Sequence, residues 1–184
     1  MAVKDSVSNW LVSWCRQLVL QRTPQDDPWS PAALAAALLA YALVDLLQAT
    51  LTAASRQAAL GMALLDIFLL VLFAGLVLQI AGKRVRLVQT VTALAGTGSL
   101  LGVVSLPLLQ QAVRAPQADG PGGALVLAWL MLLAWNLAVQ AHIFRHALST
   151  RYGIGVLLAG VHTVLAIALL ETVFPRVGNG NGIQ

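Results

Sequence analysis

Apolar residues run almost without interruption through five stretches of the chain, 31–54, 58–81, 87–109, 124–142 and 153–174, and most charged residues fall between them. Each stretch has about the 20 residues a helix needs to cross a hydrocarbon layer of about 30 Å. A β-barrel would instead alternate apolar and polar positions in segments of about ten residues. The pattern predicts an all-α polytopic membrane protein, a five-transmembrane-helix bundle.

Ahead of these stretches the pattern changes. Val7, Trp10, Leu11, Trp14 and Leu18 recur at helical spacing opposite Asn9, Ser13, Arg16 and Gln17, which predicts an N-terminal amphipathic helix in the membrane interface. Trp10, Trp14, Trp29 and Tyr152 are expected at the membrane–water boundary, where an aromatic ring meets lipid and its polar atom meets headgroups. Three prolines in 23–31 exclude a regular helix there, and Ser30-Pro31 has the N-cap and first-turn residues of a helix start. The division expected is 1–30 for the cytoplasmic or interfacial segment and Pro-rich connector, 31–175 for the five-helix domain and 176–184 for a disordered tail. The Pro- and Gly-rich stretch 114–123 is expected to be a loop.

Composition agrees: 59% of the 184 residues are hydrophobic and 10% charged, with mean hydropathy +0.81. The net charge of +4 does not point to nucleic acid, because the basic residues are spread over short loops. Their distribution reports orientation instead. With the N-terminus inside, the cytoplasmic side carries Lys4, Arg16, Arg22, Lys83, Arg84, Arg86, Arg145 and Arg151; the other side carries Arg56, Arg114 and Arg176. That bias predicts a cytoplasmic N-terminus and a periplasmic C-terminus. The Ala, Leu, Val and Arg usage suggests a bacterial inner membrane protein, with no cleavable signal peptide expected.

Inside the spans a few polar residues stand out because they are costly there. A rise of 1.5 Å per residue puts Asp45 and Asp66 about 12–14 Å from the outer ends of their helices, and Asn136 and His162 about 18 Å below theirs. These four form the expected intramembrane polar cluster, with the two carboxyls close together on consecutive antiparallel helices. A proton or cation relay through Asp45, Asp66 and His162 is one reading; hydrogen bonds that hold the helices together are the other. Gly98-Ser99-Leu100-Leu101-Gly102 and the pair Gly155/Ala159 are small-xxx-small patterns that allow close helix approach.

No nucleophile elbow, phosphate loop or zinc protease motif is present, and His142 with His146 makes at most half a metal site. The expectation is a non-enzyme with no catalytic, metal or cofactor-binding residues and no cofactor. Its partners are the lipid bilayer and other membrane proteins, or further copies of itself.

The layout resembles the Yip (Ypt-interacting protein) family and its small bacterial relatives. The similarity lies in a short interfacial N-terminus, five spans, the connector Gly82-Lys83-Arg84 before the third and the step Leu106-Pro107-Leu108 that closes it. It extends as a pattern from Trp10 to Phe174. The resemblance implies a membrane-embedded organiser or adaptor without enzymatic activity. A proton- or ion-coupled small transporter is the alternative.

Overall fold

A computed structural model describes residues 2–27, 29–53, 55–114 and 122–175, with side chains described from Ser8 onward. The expected disordered tail and most of the 114–123 loop lie outside the described residues. All regular structure among the described residues is helical: α1 (Ala2–Leu18), a 3-10 turn (Pro24–Asp26), α2 (Pro31–Thr52), α3 (Arg56–Ile80), a 3-10 turn (Arg84–Arg86), α4 (Leu87–Arg114), α5 (Gly123–Leu148) and α6 (Tyr152–Val173). The five helices α2 to α6 are long and apolar enough to cross a membrane.

Local chemistry sets the helix ends. Ser30 Oγ accepts from the Ala33 N–H at 3.1 Å, and Ser55 Oγ accepts from Ala58 at 3.1 Å. Gly82, at φ +68°, stops α3, and the Lys83 N–H returns to the Leu78 carbonyl at 2.8 Å. Two helices outrun the sequence expectation. α4 passes through Pro107 to Arg114 instead of ending near 109, and α5 continues beyond His142 to Leu148. The carbonyls at the α5 C-terminus are capped from outside: the Arg86 Nη1 donates to the His146 carbonyl at 3.2 Å, the Ala147 carbonyl at 2.9 Å and Ser149 Oγ at 2.8 Å. One guanidinium thus stabilises a helix end that apolar periodicity does not mark.

Helix α4 is the centre of the bundle. It packs against α1, α2, α3 and α5, and 56% of its most apolar stretch is buried, against 11–22% for the other four spans. It can be central because it is narrow. Gly98 lies beneath the Tyr41 ring, and Gly102 beneath Val44 and Gln48 of α2. Both glycines of the small-residue pattern therefore serve packing within the chain. The hydroxyls on α4 are mostly satisfied by its own backbone: Thr90, Thr92, Thr97, Ser99 and Ser105 each donate to a carbonyl three or four residues earlier. Helix α4 thus presents a smooth surface of small side chains.

The segment before α2 closes one end of this bundle. This N-terminal face carries α1, residues 24–27, the connector 81–86 and the turn 149–151; the distal face carries Ala53, Ser55 and the far ends of α4 and α5. On the N-terminal face Asp27 is a hub. Its carboxylate accepts from Ser13 Oγ at 2.6 Å, from Gln17 Nε2 at 2.6 Å and from the Arg22 guanidinium at 3.0 Å, and its carbonyl accepts from Gln89 Nε2 of α4 at 2.6 Å. Beside it, the Thr23 N–H donates to the Asp26 carboxylate at 2.9 Å, and this bond chiefly holds the carboxyl below its ordinary value.

The hub alters the expected facing of α1 in part: Trp10, Trp14 and Leu18 pack on the core and Asn9 and Arg16 stay exposed, but three other positions differ. Ser13 and Gln17, expected on the polar outer face, are buried, while Leu11 and Val12 are 44% and 48% exposed. The physical reason is the carboxylate beneath them, which makes charge-assisted bonds to Ser13 and Gln17 that offset the cost of burying them. Trp14, expected at the headgroup level, is 5% exposed and lies over Gly96 of α4, where a Cβ would come within 2.5 Å of its ring. Trp10 is half-buried against the same core, whereas Trp29 and Tyr152 are exposed.

Candidate functional site

Between α2, α4 and α5 lies a half-enclosed cavity of about 490 Å³. Its wall follows from helix registers. α2 and α4 run parallel with an offset of 57 residues at Tyr41/Gly98, so Tyr41, Asp45 and Gln48 climb one wall while Thr97, Leu101 and Ser105 climb the next. Asn136 and Gln140 project from α5, one turn apart on one face. Leu94, Leu70 of α3 and His162 of α6 close the floor.

Polar groups occur at successive levels from the distal face inward. Gln48 Nε2 donates to the Gly102 carbonyl and to Ser105 Oγ, both at 3.0 Å. Deeper in, Gln140 Nε2 donates to Asn136 Oδ1 at 3.2 Å, and the His162 Nδ1–H donates to Gln140 Oε1 at 3.0 Å. That tautomer leaves His162 Nε2 as a lone-pair acceptor. The imidazole also stacks at a tilt on Phe73, with ring centroids 5.1 Å apart.

The four residues of the expected cluster are arranged as follows. Asp66 accepts a hydrogen bond from the Tyr41 hydroxyl, so the side chain it meets on α2 lies one turn before Asp45. Asn136 and His162 are brought together through Gln140. Asp45 lines the cavity, and its Oδ2 is buried without a hydrogen-bond partner among the described residues, as is Nε2 of His162. Tyr41, Gln48 and Gln140 were not singled out from the sequence. The available signal was helical spacing, since Tyr41, Asp45 and Gln48 stand at i, i+4 and i+7.

Below the floor the interior is mainly apolar, and the buried Thr90 hydroxyl there is bonded to the Arg86 carbonyl at 2.8 Å. Ala74, Leu78, Val91, Val139, Ile143 and Phe144 are each at most 2% exposed, and Phe73 meets Phe144 edge-on at 5.8 Å. The cavity therefore ends near mid-bundle, and α1 with the Asp27 hub lies beyond that packed layer. No group of three His, Cys, Asp or Glu side chains suited to a metal occurs among the described residues.

The Tyr41–Asp66 bond supports a specific substitution result. Asp66→Asn retains a carbonyl acceptor for the Tyr41 hydroxyl and is expected to melt in detergent close to the unaltered protein. Asp66→Leu leaves that hydroxyl unpaired and is expected to lose about 1–3 kcal/mol. Equal melting of the two variants would show that the bond contributes nothing.

No protein-family model, curated protein or solved structure matches the chain.

Proposed function

We propose that the protein is a non-enzymatic integral membrane protein of a bacterial inner membrane that acts as an organiser, or as a subunit or adaptor of a membrane complex. The observation that carries this reading is the single-ended cavity. A conducting path continues polar to both surfaces, whereas here six packed apolar residues separate the cavity floor from the N-terminal face. Such a bundle is built to bind and to be bound. The layout shared with the Yip family supports the same reading.

In the proposed orientation the N-terminal face is cytoplasmic and the distal face periplasmic, following the basic residues. Helix α1 lies in the cytoplasmic interface: it is tied to the bundle by Ser13, Trp14 and Gln17 and turns Leu11 and Val12 outward, where lipid covers them. Reporter fusions after Arg86 and Arg151 are expected to report cytoplasm, and fusions after Arg114 and Gly178 the opposite side. A cytoplasmic C-terminus would contradict the five-span orientation.

Purification in mild detergent followed by mass spectrometry tests the function. The expected result is a membrane protein recovered in stoichiometric amount, or a defined homo-oligomer; a solitary monomer would contradict the subunit reading. One observation favours a second reading. Asp45 and His162 each present an unpartnered buried atom, as a proton- or ion-coupled transporter using Asp45, Asp66 and His162 would require. In that case Asp45→Asn would abolish flux in proteoliposomes without changing assembly.

A further inference from the structure

Two apolar side chains stand out on the N-terminal face because almost nothing covers them: Ile80, the last residue of α3, is 86% exposed and Val85 is 85% exposed. They flank Lys83 and Arg84 in the connector between α3 and α4. Helix length sets the depth of this connector. The 25 residues of α3 extend about 37 Å at a rise of 1.5 Å per residue, more than the roughly 30 Å of hydrocarbon and less than the roughly 40–45 Å of a bilayer with its headgroups. One end of α3 therefore lies in each headgroup layer, and the connector begins there.

Arg86 holds a second loop alongside. Its backbone N–H donates to the Lys83 carbonyl at 3.0 Å and its Nη1 to Ser149 Oγ at 2.8 Å, so the connector and the turn that leads to Arg151 are neighbours. Arg84 and Arg151 are exposed and Lys83 partly so, and none of the three makes a side-chain hydrogen bond or ion pair among the described residues. Neither loop contains an acid. On the same face Asp27 is paired with Arg22, and Asp26 accepts from the Thr23 N–H. Three cations at headgroup depth are thus left for a partner outside the chain.

We propose that Lys83, Arg84 and Arg151 form a binding site for the headgroup of an anionic phospholipid, with Ile80 and Val85 covered by its glycerol and upper acyl chains. Charge complementarity selects a net negative headgroup, because a zwitterionic one brings a cation of its own toward these three. The apolar pair selects a lipid over free phosphate, which has no apolar part to remove Ile80 and Val85 from water. Depth selects a lipid over a soluble acidic protein, since headgroups already occupy this level. Tyr152, exposed beside Arg151, carries the amphipathic ring common there. Such a site requires only that α3 crosses the bilayer; it holds whichever face is cytoplasmic and whether or not the chain serves a complex.

Native mass spectrometry of the full chain in mild detergent tests this with equal amounts of dioleoyl phosphatidylglycerol and dioleoyl phosphatidylcholine, which share their chains and differ in headgroup charge. The first lipid bound is expected to be phosphatidylglycerol by at least about tenfold, since each basic residue at an anionic surface contributes roughly fivefold. Lys83→Gln with Arg84→Gln is expected to lower that preference about fivefold or more. Arg151→Gln, on the other loop, is expected to lower it about twofold or more and keeps the test decisive should the double variant fail to fold. Arg56→Gln with Arg114→Gln removes the same charge from the distal face and is expected to leave the preference unchanged. Excess inorganic phosphate is expected not to displace the lipid. No preference for phosphatidylglycerol, a preference unchanged by either N-terminal variant, an equal loss in the distal variant, or displacement by phosphate would each overturn the proposal.

Discussion

Adding one methyl group at Gly155 is expected to destabilise the protein by about 2–3 kcal/mol, the scale of overpacking in a well-filled interior. A Cβ there would collide with the backbone carbonyl of Ala141 and would sit 3.2 Å from the Arg145 Cβ. Backbone cannot swing aside as a side chain can, so α5 and α6 must separate. Ala159, 0% exposed, lies one turn further along the same contact. Gly160 provides the control within the same helix, because a Cβ at that position meets nothing within 4 Å. Gly160→Ala is expected to melt at or slightly above the temperature of the unaltered protein, since Ala is favoured over Gly inside a helix by roughly 0.5–1 kcal/mol. Thermal unfolding in detergent distinguishes the two. Similar melting of Gly155→Ala and Gly160→Ala would show that α5 and α6 do not meet at this contact.

The second large effect is expected at Asp27. Asp27→Ala strips a carboxylate from Ser13, Gln17 and Arg22 at once and leaves Gln17, 0% exposed, without its partner on Asp27. Losing the shared carboxylate of this part-buried network, whose Arg22 and Asp27 side chains are 30% and 18% exposed, costs about 1.5–3 kcal/mol. The loss should fall on α1, because the same residues join it to the bundle, while α2 to α6 keep their own packing. Hydrogen exchange followed by mass spectrometry is expected to show peptides covering 8–18 exchanging about ten- to a hundredfold faster, with α4 peptides little changed. Unchanged protection of α1 would mean that Trp14 on Gly96 suffices to hold it.

The five spans were legible in the sequence because an apolar run of about 20 residues has few alternatives to a transmembrane helix. Ser30-Pro31 and Gly82 marked helix ends through chemistry carried by one or two neighbouring residues. Two other boundaries carry no such mark: Ser149 ends α5 in the left-handed region at φ 55° without a glycine. Arg86 caps α5 from the start of α4, some 60 positions away, and Pro107 is absorbed within α4 rather than ending it. The same distinction governs the site. Asp45, Asp66, Asn136 and His162 could be named because each is costly in lipid, but depth along a helix does not fix rotation about its axis. Rotation decides that Asp66 bonds to Tyr41, one turn before Asp45 on α2. In helix α1 two polar positions escape the pattern for a related reason: an amphipathic pattern assumes that polar side chains seek water, and Asp27 offers Ser13 and Gln17 a stronger partner inside.

Thiol labelling from each side of the membrane tests the single-ended cavity most directly. In a Cys15→Ser background, single cysteines replace Gln48 and Asn136 in the cavity wall, and Val91 and Val139 in the packed layer below it. A membrane-impermeant maleimide added to the periplasmic side is expected to label Gln48→Cys and Asn136→Cys, and Val91→Cys and Val139→Cys are expected to resist labelling from either side. Labelling of the cavity positions from the cytoplasm, or of Val139→Cys from any side, would contradict a cavity that ends at mid-bundle.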